Sequence, residues 1–266
     1  MRRSRAAAKR DTRNIALATF MLTAVAAIVA AAGYFYFNRS PGLDKRMCPA
    51  GGPLGQVVLL VDKTDPLSFT QKNAFTNFLD GLVVRGIPPG YLLTVFALGG
   101  DYKETATPLF DLCNPGTGAG ASELTSNRAH LKKHFDEQFR KPMLQLADEL
   151  QTTQSARYSP IFEMLQMTAI NGFRKENVNG PHRLIIVSDM LHNTPEYSMY
   201  RGTLDFESFH SSNYGRKIST DLGGADVELQ YLLTSPQLQT RRQLKFWEDY
   251  FAASGGRIVA VRPLEG

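Results

Sequence analysis

Charge is missing from the chain between Arg13 and Arg39, where "NIALATFMLTAVAAIVAAAGYFYFN" carries none. An uncharged apolar run of this kind excludes an ordinary solvated segment and is long enough to cross a bilayer as a helix of about 20 residues. An excess of charge of either sign is missing too, once the amino terminus is set aside. The net charge is +5, but the first 13 residues hold six basic residues and one acid, and the remainder has 24 of each. The high isoelectric point therefore belongs to the terminus, and nucleic acid drops out as a partner. Cysteine is scarce, with only Cys48 and Cys113. In an oxidising compartment an even count reads as a bridge, and here one pairing exists. The alternative is a reactive Cys113 with a histidine base, but "DLCNPGTG" matches no nucleophile motif and offers no cationic neighbour to lower the thiol pKa. There is no internal repeat, and no low-complexity tract beyond the alanines of the apolar run.

Basic residues are concentrated before that run: Arg2, Arg3, Arg5, Lys9, Arg10 and Arg13 stand against Asp11 alone. Such an excess stays in the cytoplasm, which puts the bulk of the chain outside it. Tyr34, Phe35, Tyr36 and Phe37 read as an aromatic belt at the far interface. A cleaved signal peptide is the alternative, since "VAAAG" offers small residues for a peptidase, although the apolar run exceeds the usual signal core. The expected organisation is a cytoplasmic basic segment (1–14), a transmembrane signal anchor (15–37), a Pro/Gly-rich linker (38–55) and one periplasmic or other extracytoplasmic domain (56–266).

Within that domain, "QVVLLVD" reads as a strand buried on both faces that ends in polar residues. A helical pattern follows through Phe69, Phe75, Phe78, Leu79 and Leu82, with Gly86 as its stop, and "YLLTVFAL" is a second strand. Strand, helix, strand with this crossover is a parallel βαβ unit. Residues 101–122 read as loop. A helix runs from about Thr125 through Leu131, Phe135 and Phe139 to near Gln154, with Pro142 kinking or restarting it, and another carries Ile161, Leu165 and Thr168. "HRLIIVSDM" is a further strand ending in an aspartate. After a stretch of more than 30 residues with no lasting period come a strand at "VELQYLL", a helix with Leu244, Trp247 and Phe251 facing inward, and a last strand at "RIVAV". The fold class is α/β, a doubly wound, mostly parallel sheet flanked by helices.

Strands ending in Asp62 and Asp189, with "YSPIFEML" between them, resemble a von Willebrand factor A (VWA) domain over about Gln56 to Pro263. That family carries a metal site in three pieces: an Asp-x-Ser-x-Ser loop after the first strand, a Thr in a later loop, and an Asp after the fourth strand. The resemblance maps Asp62 and Thr64 onto the first two positions, Ser159 onto the Thr and Asp189 onto the last aspartate. Pro66 departs from the pattern, because it stands at the second Ser and offers no side-chain oxygen; Asp65 and Ser68 are the neighbours that would compensate. The implied cofactor is Mg²⁺, or Mn²⁺ or Ca²⁺, since hard cations take carboxylate and hydroxyl oxygens. The bland alternative is that both aspartates cap turns.

The insertion after Asp189 carries Tyr197, Tyr200, Phe206, Phe209 and Tyr214. Aromatics on a loop beside a site make either a contact surface, with His192 nearby, or a small local core. His130 and His134 lie one helical turn apart, as a zinc pair would, but among lysines they read as a solvated face. The "DKTD" loop has Asp65 where the phosphorylated loop of P-type ATPases has glycine, and Thr64 where haloacid dehalogenase-like phosphatases have a second carboxylate.

Three functions follow. The first is a membrane-anchored, non-enzymatic module that captures an acidic side chain of a protein partner through a divalent cation. The second is a metal-independent scaffold in an envelope complex. The third is a hydrolase or phosphotransferase using Asp62. The membrane assignment is checked directly: alkaline phosphatase fused after Gly266 is expected to be active in a bacterial host, and an active cytoplasmic reporter there would overturn it.

Overall fold

The protein is described here by a computed structural model covering residues 5–37, 43–101, 107–118, 128–151, 156–176, 178–201 and 204–264. It divides into two units, Met1–Gly42 and Leu43–Gly266. In the first, helix α1 (Arg5–Phe37) contains Ile15–Tyr34, a 20-residue stretch of mean hydropathy 2.4 that is long and apolar enough to cross a membrane. The same properties serve an anchor or a signal.

The second unit is an α/β fold whose elements follow from the sequence period. Strands β1 (Gln56–Asp62), β2 (Leu92–Leu98) and β4 (His182–Ser188) are the three most apolar runs of the unit, and they lie together in the middle of a six-stranded sheet of order β3-β2-β1-β4-β5-β6. Strands β5 (Asp226–Tyr231) and β6 (Arg257–Pro263) extend it in parallel, whereas β3 (Phe110–Cys113) runs antiparallel on β2. Strand β3 lies in the region expected to be loop. Four residues, of which only the two ends are buried, carry too little apolar signal to announce a strand.

Alternation along the strands divides the core in two. Val58, Leu60, Leu184 and Ile186 face one layer with Phe162, Trp247 and Phe251, while Val57, Leu59, Val95 and Val187 face the other with Phe75, Leu79 and Phe139. The first layer is built from α5 (Ile161–Thr168), α6 (Phe206–Ser211), α7 (Asn213–Lys217) and α8 (Arg241–Ala253). The second is built from α2 (Phe69–Gly81), α3 (Arg128–Phe135) and α4 (Lys141–Gln151). A new helix begins one residue before Pro142, preceded by a π-helical turn at Asp136–Arg140. The expected helix ends near Thr125 and Gln154 lie outside the described residues.

Phe69 departs from the helical reading: it is the first residue of α2 and is 79% exposed. The residue before it, Ser68, is the N-cap, accepting from the Gln71 amide while Gln71 reaches back to the Ser68 amide. The helix thus starts where its cap permits, and Phe69 falls on the solvent side.

The folded unit starts at Leu43, inside the stretch read as a linker, and Met47 and Cys48 are buried. Cys48 is bonded to Cys113, which pairs with Leu92 at the amino end of β2. Arg46 reinforces this corner by ion pairs to Asp111 at 2.9 Å and Glu176 at 2.7 Å. The bridge spans a sequence separation of 65. On the chain-entropy model, replacing both cysteines by serine lowers stability by about 4 kcal/mol, to be read from denaturant unfolding of the chain in detergent; an unchanged midpoint would show that the bridge constrains nothing.

Candidate functional site at the carboxyl edge of the sheet

β1 is flanked by β2 on one side and β4 on the other, so the chain winds away from it in both directions. Such a switch point leaves a crevice at the carboxyl ends of the strands. Asp62 ends β1 and Asp189 directly follows β4, so strand register alone brings both carboxylates to that crevice.

Both are buried, Asp62 at 6% exposure and Asp189 at 4%. Asp62 Oδ1 accepts from the Thr64 amide at 2.9 Å and the Thr64 hydroxyl at 2.6 Å. Its Oδ2 accepts from the Ser188 hydroxyl at 2.7 Å and, more weakly, from Ser159 Oγ at 3.5 Å. Asp189 Oδ1 accepts from the Leu191 amide at 2.9 Å and Oδ2 from the Thr234 hydroxyl at 2.7 Å. Among the described residues no lysine, arginine or histidine forms an ion pair with either aspartate.

Two buried carboxylates without a cation raise one another's proton affinity. Burial pushes Asp62 above the usual carboxylate range, against the hydrogen bonds from Thr64 and Ser188, and Asp65 adds to the rise. Burial, then the Asp62 charge, pushes Asp189 up to about 7. Tyr200, half exposed, is pushed up to about 12 by burial and by the charges of Asp189, Asp65 and Asp62, so its phenol lies within their field.

The backbone after Asp189 is held in an uncommon conformation. Met190 has φ 58, a left-handed value that L residues other than glycine seldom adopt. Its amide donates to Ser188 Oγ at 2.9 Å, and its carbonyl accepts from Gln243 Nε2 at 2.7 Å and Trp247 Nε1 at 2.8 Å. Three bonds from two elements fix the turn that aims Asp189. Ser159 is placed by another device: it exchanges amide and carbonyl bonds with Asn193, which bridges on to Ser198.

The four residues mapped as metal ligands thus belong to one cluster, in which Asp62 bonds to Thr64 and Ser159 and lies in the electrostatic reach of Asp189. Ser188 and Thr234 are also members. Ser188 stands beside a marked aspartate and was within reach of a sequence reading, whereas nothing in the sequence around Thr234 signals that the end of β5 joins the site. Among the described residues, no group of three or more histidine, cysteine or acidic side chains is arranged to hold a metal. What is present fits a hard cation by chemistry, with two carboxylates and four hydroxyls, all oxygen. Asp65, half-buried, is the third carboxylate close enough to be felt by both aspartates.

The other expected contact residues are placed differently. Ser68 caps α2. Phe209 is buried, stacking on Phe162 at 4.7 Å, and Tyr197 and Phe206 are partly buried against the same core. The aromatic insertion is therefore mainly a local core, and Tyr200 is the member left facing out. Sequence could not decide this, because an aromatic loop has the same composition in either role. His130 and His134 stack at 6.1 Å on a helical stretch that also carries Lys132–Asp136 and Lys133–Glu137 ion pairs.

His192 lies wholly inside, its ring 4.4 Å from Phe162 and its nitrogens near the Phe162 amide, the Tyr214 hydroxyl and Thr194.

No family model matches the chain, and none of the curated proteins matches it. Solved structures of similar fold include an aerotolerance-related membrane protein from Bacteroides fragilis NCTC 9343, with 11% identity, 78% of this chain and 90% of that chain covered, and a TM-score of 0.34. The SpRpn10 VWA domain shares 8% identity over 79% of this chain and 89% of that chain, with a TM-score of 0.41. The TFIIH p34 N-terminal domain shares 10% identity over 79% and 90%, with a TM-score of 0.29. A VWA domain is thus among the structures the chain is similar to, and at these scores the likeness carries no argument; the α/β fold rests on the chain's own sheet order.

Burial lowers the His192 pKa to about 3. Below its ordinary value of about 6.5 the unfolded chain gains a proton that the folded ring refuses, so stability is lost as pH falls from there toward 3. His192→Gln is expected to lose less melting temperature than the native chain between neutral and mildly acidic pH; parallel slopes would reject the assignment.

Proposed function

We propose that this chain is a membrane-anchored binding module that engages a protein partner at the carboxyl edge of its sheet, through a divalent cation held by Asp62, Thr64, Ser159 and Asp189. One observation carries the reading: two buried aspartates share a hydroxyl-rich crevice in which, among the described residues, no cationic side chain is paired to either. Such a pair is costly unless protonated or neutralised, and a hard cation neutralises both. When bound, the cation supplies a Lewis-acidic position for an acidic side chain of the partner. Asp62 and Asp189 supply the charge, and Thr64, Ser159, Ser188 and Thr234 orient those carboxylates. Tyr200, exposed at the rim, is a contact residue for the partner, and Asp65 extends the negative edge.

The amino-terminal helix supports a membrane anchor, and the Cys48–Cys113 bridge supports an oxidising compartment for the domain. A phosphoryl-accepting Asp62 is disfavoured by its burial and by donors already placed on both oxygens. The same donors favour a second reading, a metal-independent scaffold, because hydroxyl and amide bonds partly satisfy the carboxylates without an ion.

Melting of the full chain in detergent separates the two. Millimolar Mg²⁺, Mn²⁺ or Ca²⁺ is expected to raise the midpoint relative to chelator by mass action. Asp189→Asn is expected to raise the metal-free midpoint at neutral pH, by removing the repulsion, and to abolish the metal response. A native chain indifferent to all three ions would leave the scaffold reading in place.

A further inference from the structure

The amino ends of the strands carry a face that the aspartate cluster does not use. Leu54 precedes β1, and its amide donates to the Gly90 carbonyl at 2.9 Å, just before β2. Gly180, just before β4, packs against the Leu54 carbonyl, and Leu43 pairs with Pro49 in an isolated bridge. These segments therefore form one surface. On it Leu43 is 50% exposed and Leu54 59%, and Lys45, Arg174 and Lys175 are exposed as well. The nearby acids are engaged within the fold: Asp44 Oδ1 accepts from the Arg46 and Cys48 amides, and Glu176 is paired with Arg46.

An open groove of about 540 Å³ adjoins this surface on the α2 side of the sheet. Arg85, Arg183 and Arg262 line it against the carboxylate of Glu228. Glu228 is already held by Arg183 at 2.6 Å and Arg262 at 2.7 Å. Arg183 also donates to the Gly86 carbonyl at 2.8 Å, which ties the groove to the segment leading to Gly90. Among the described residues the Arg85 guanidinium is in no ion pair and has no acceptor. An excess of guanidinium over carboxylate, with one fork unengaged, suits a pair of phosphate oxygens.

Position selects the source of the phosphate. Residues 38–42 separate Phe37, the end of α1, from Leu43. Six chain steps reach no more than about 20 Å, so a chain anchored by α1 keeps its first folded residues near the bilayer surface. Exposed leucines among lysines and arginines fit that surface, because apolar side chains enter the headgroup layer while the cations stay at phosphate level.

We propose that the amino edge of the domain seats on the anionic bilayer surface in which the chain is anchored, with a phospholipid headgroup phosphate taken at Arg85. The inference rests on the membrane anchor of the proposed function and leaves its cation site free. The aspartate cluster, at the opposite ends of the strands, then faces away from the lipid and toward a partner.

The test places the full chain in nanodiscs of phosphatidylcholine, alone or mixed with phosphatidylglycerol. A nitroxide at Leu54→Cys reports the face, and one at Phe69→Cys, exposed at the carboxyl side, is the control; the native cysteines are bonded to each other and do not take the label. In phosphatidylglycerol discs the label at 54 is expected to become immobilised and to lose accessibility to a water-soluble nickel chelate, while the label at 69 stays accessible in both. Arg85→Gln and Lys45→Gln, at exposed side chains where folding is not at stake, are each expected to lower the ratio of immobilised to mobile label about fivefold. The melting response to Mg²⁺ is expected to be unchanged in both variants, so the cation reading and this one fail separately. A chain that does not enter the discs would sink the anchor and this proposal together. A label at 54 equally accessible in both discs, or variants that dock as well as the native chain, would overturn this proposal alone.

Discussion

Two carboxylates forced together at a switch point are the constraint around which the rest of this domain is arranged. Parallel pairing of β1 and β4 leaves no freedom in where Asp62 and Asp189 end up. Their separation from water is set by the layers above and below. Everything adjacent then serves to hold charge where charge is unwelcome: hydroxyls from four segments, an amide from each following loop, and a left-handed backbone at Met190 clamped by two side chains of α8. A fold selected for stability alone would place apolar residues at such a position, and the proposed function rests on that retained cost.

The insertion shows the complementary use of burial. Phe162 sits at the centre of a ring cluster that includes Phe209, Trp247 and Tyr250. Through that apolar mass runs a thread of polar groups, Glu163 to Tyr214 to His192 to Thr194. The rings make the loop rigid, and the thread fixes its orientation, so Ser159 and Tyr200 are presented by a firm support despite lying outside regular elements.

The central strands were legible because continuous apolar runs ending in aspartate have few other readings, and both ends of the disulfide followed from there being one possible pair. Gln56–Asp62, Leu92–Leu98 and His182–Ser188 fall where their composition places them. Strand β3 escaped because it borrows its stability from β2 and the bridge rather than from its own four residues. Asp62, Thr64, Ser159 and Asp189 were marked by chain position relative to strands, a local property. The part that Thr234 takes depends on which elements meet in space, and no local pattern records that. Phe69 misled because helical spacing describes a face, while the capping serine decides where the helix begins.

The corner made by Cys48 and Cys113 has a mechanical meaning. The chain enters the domain at the amino ends of the strands, whereas the aspartate cluster lies at their carboxyl ends. On the proposed function, a pull between the amino terminus and a molecule held at the cluster would act along the strands, in shear, where rows of interstrand bonds must fail together. The covalent link passes part of that tension directly to β3, sparing the short connection into β1. Tethered as proposed, such a domain would be suited to holding on under force.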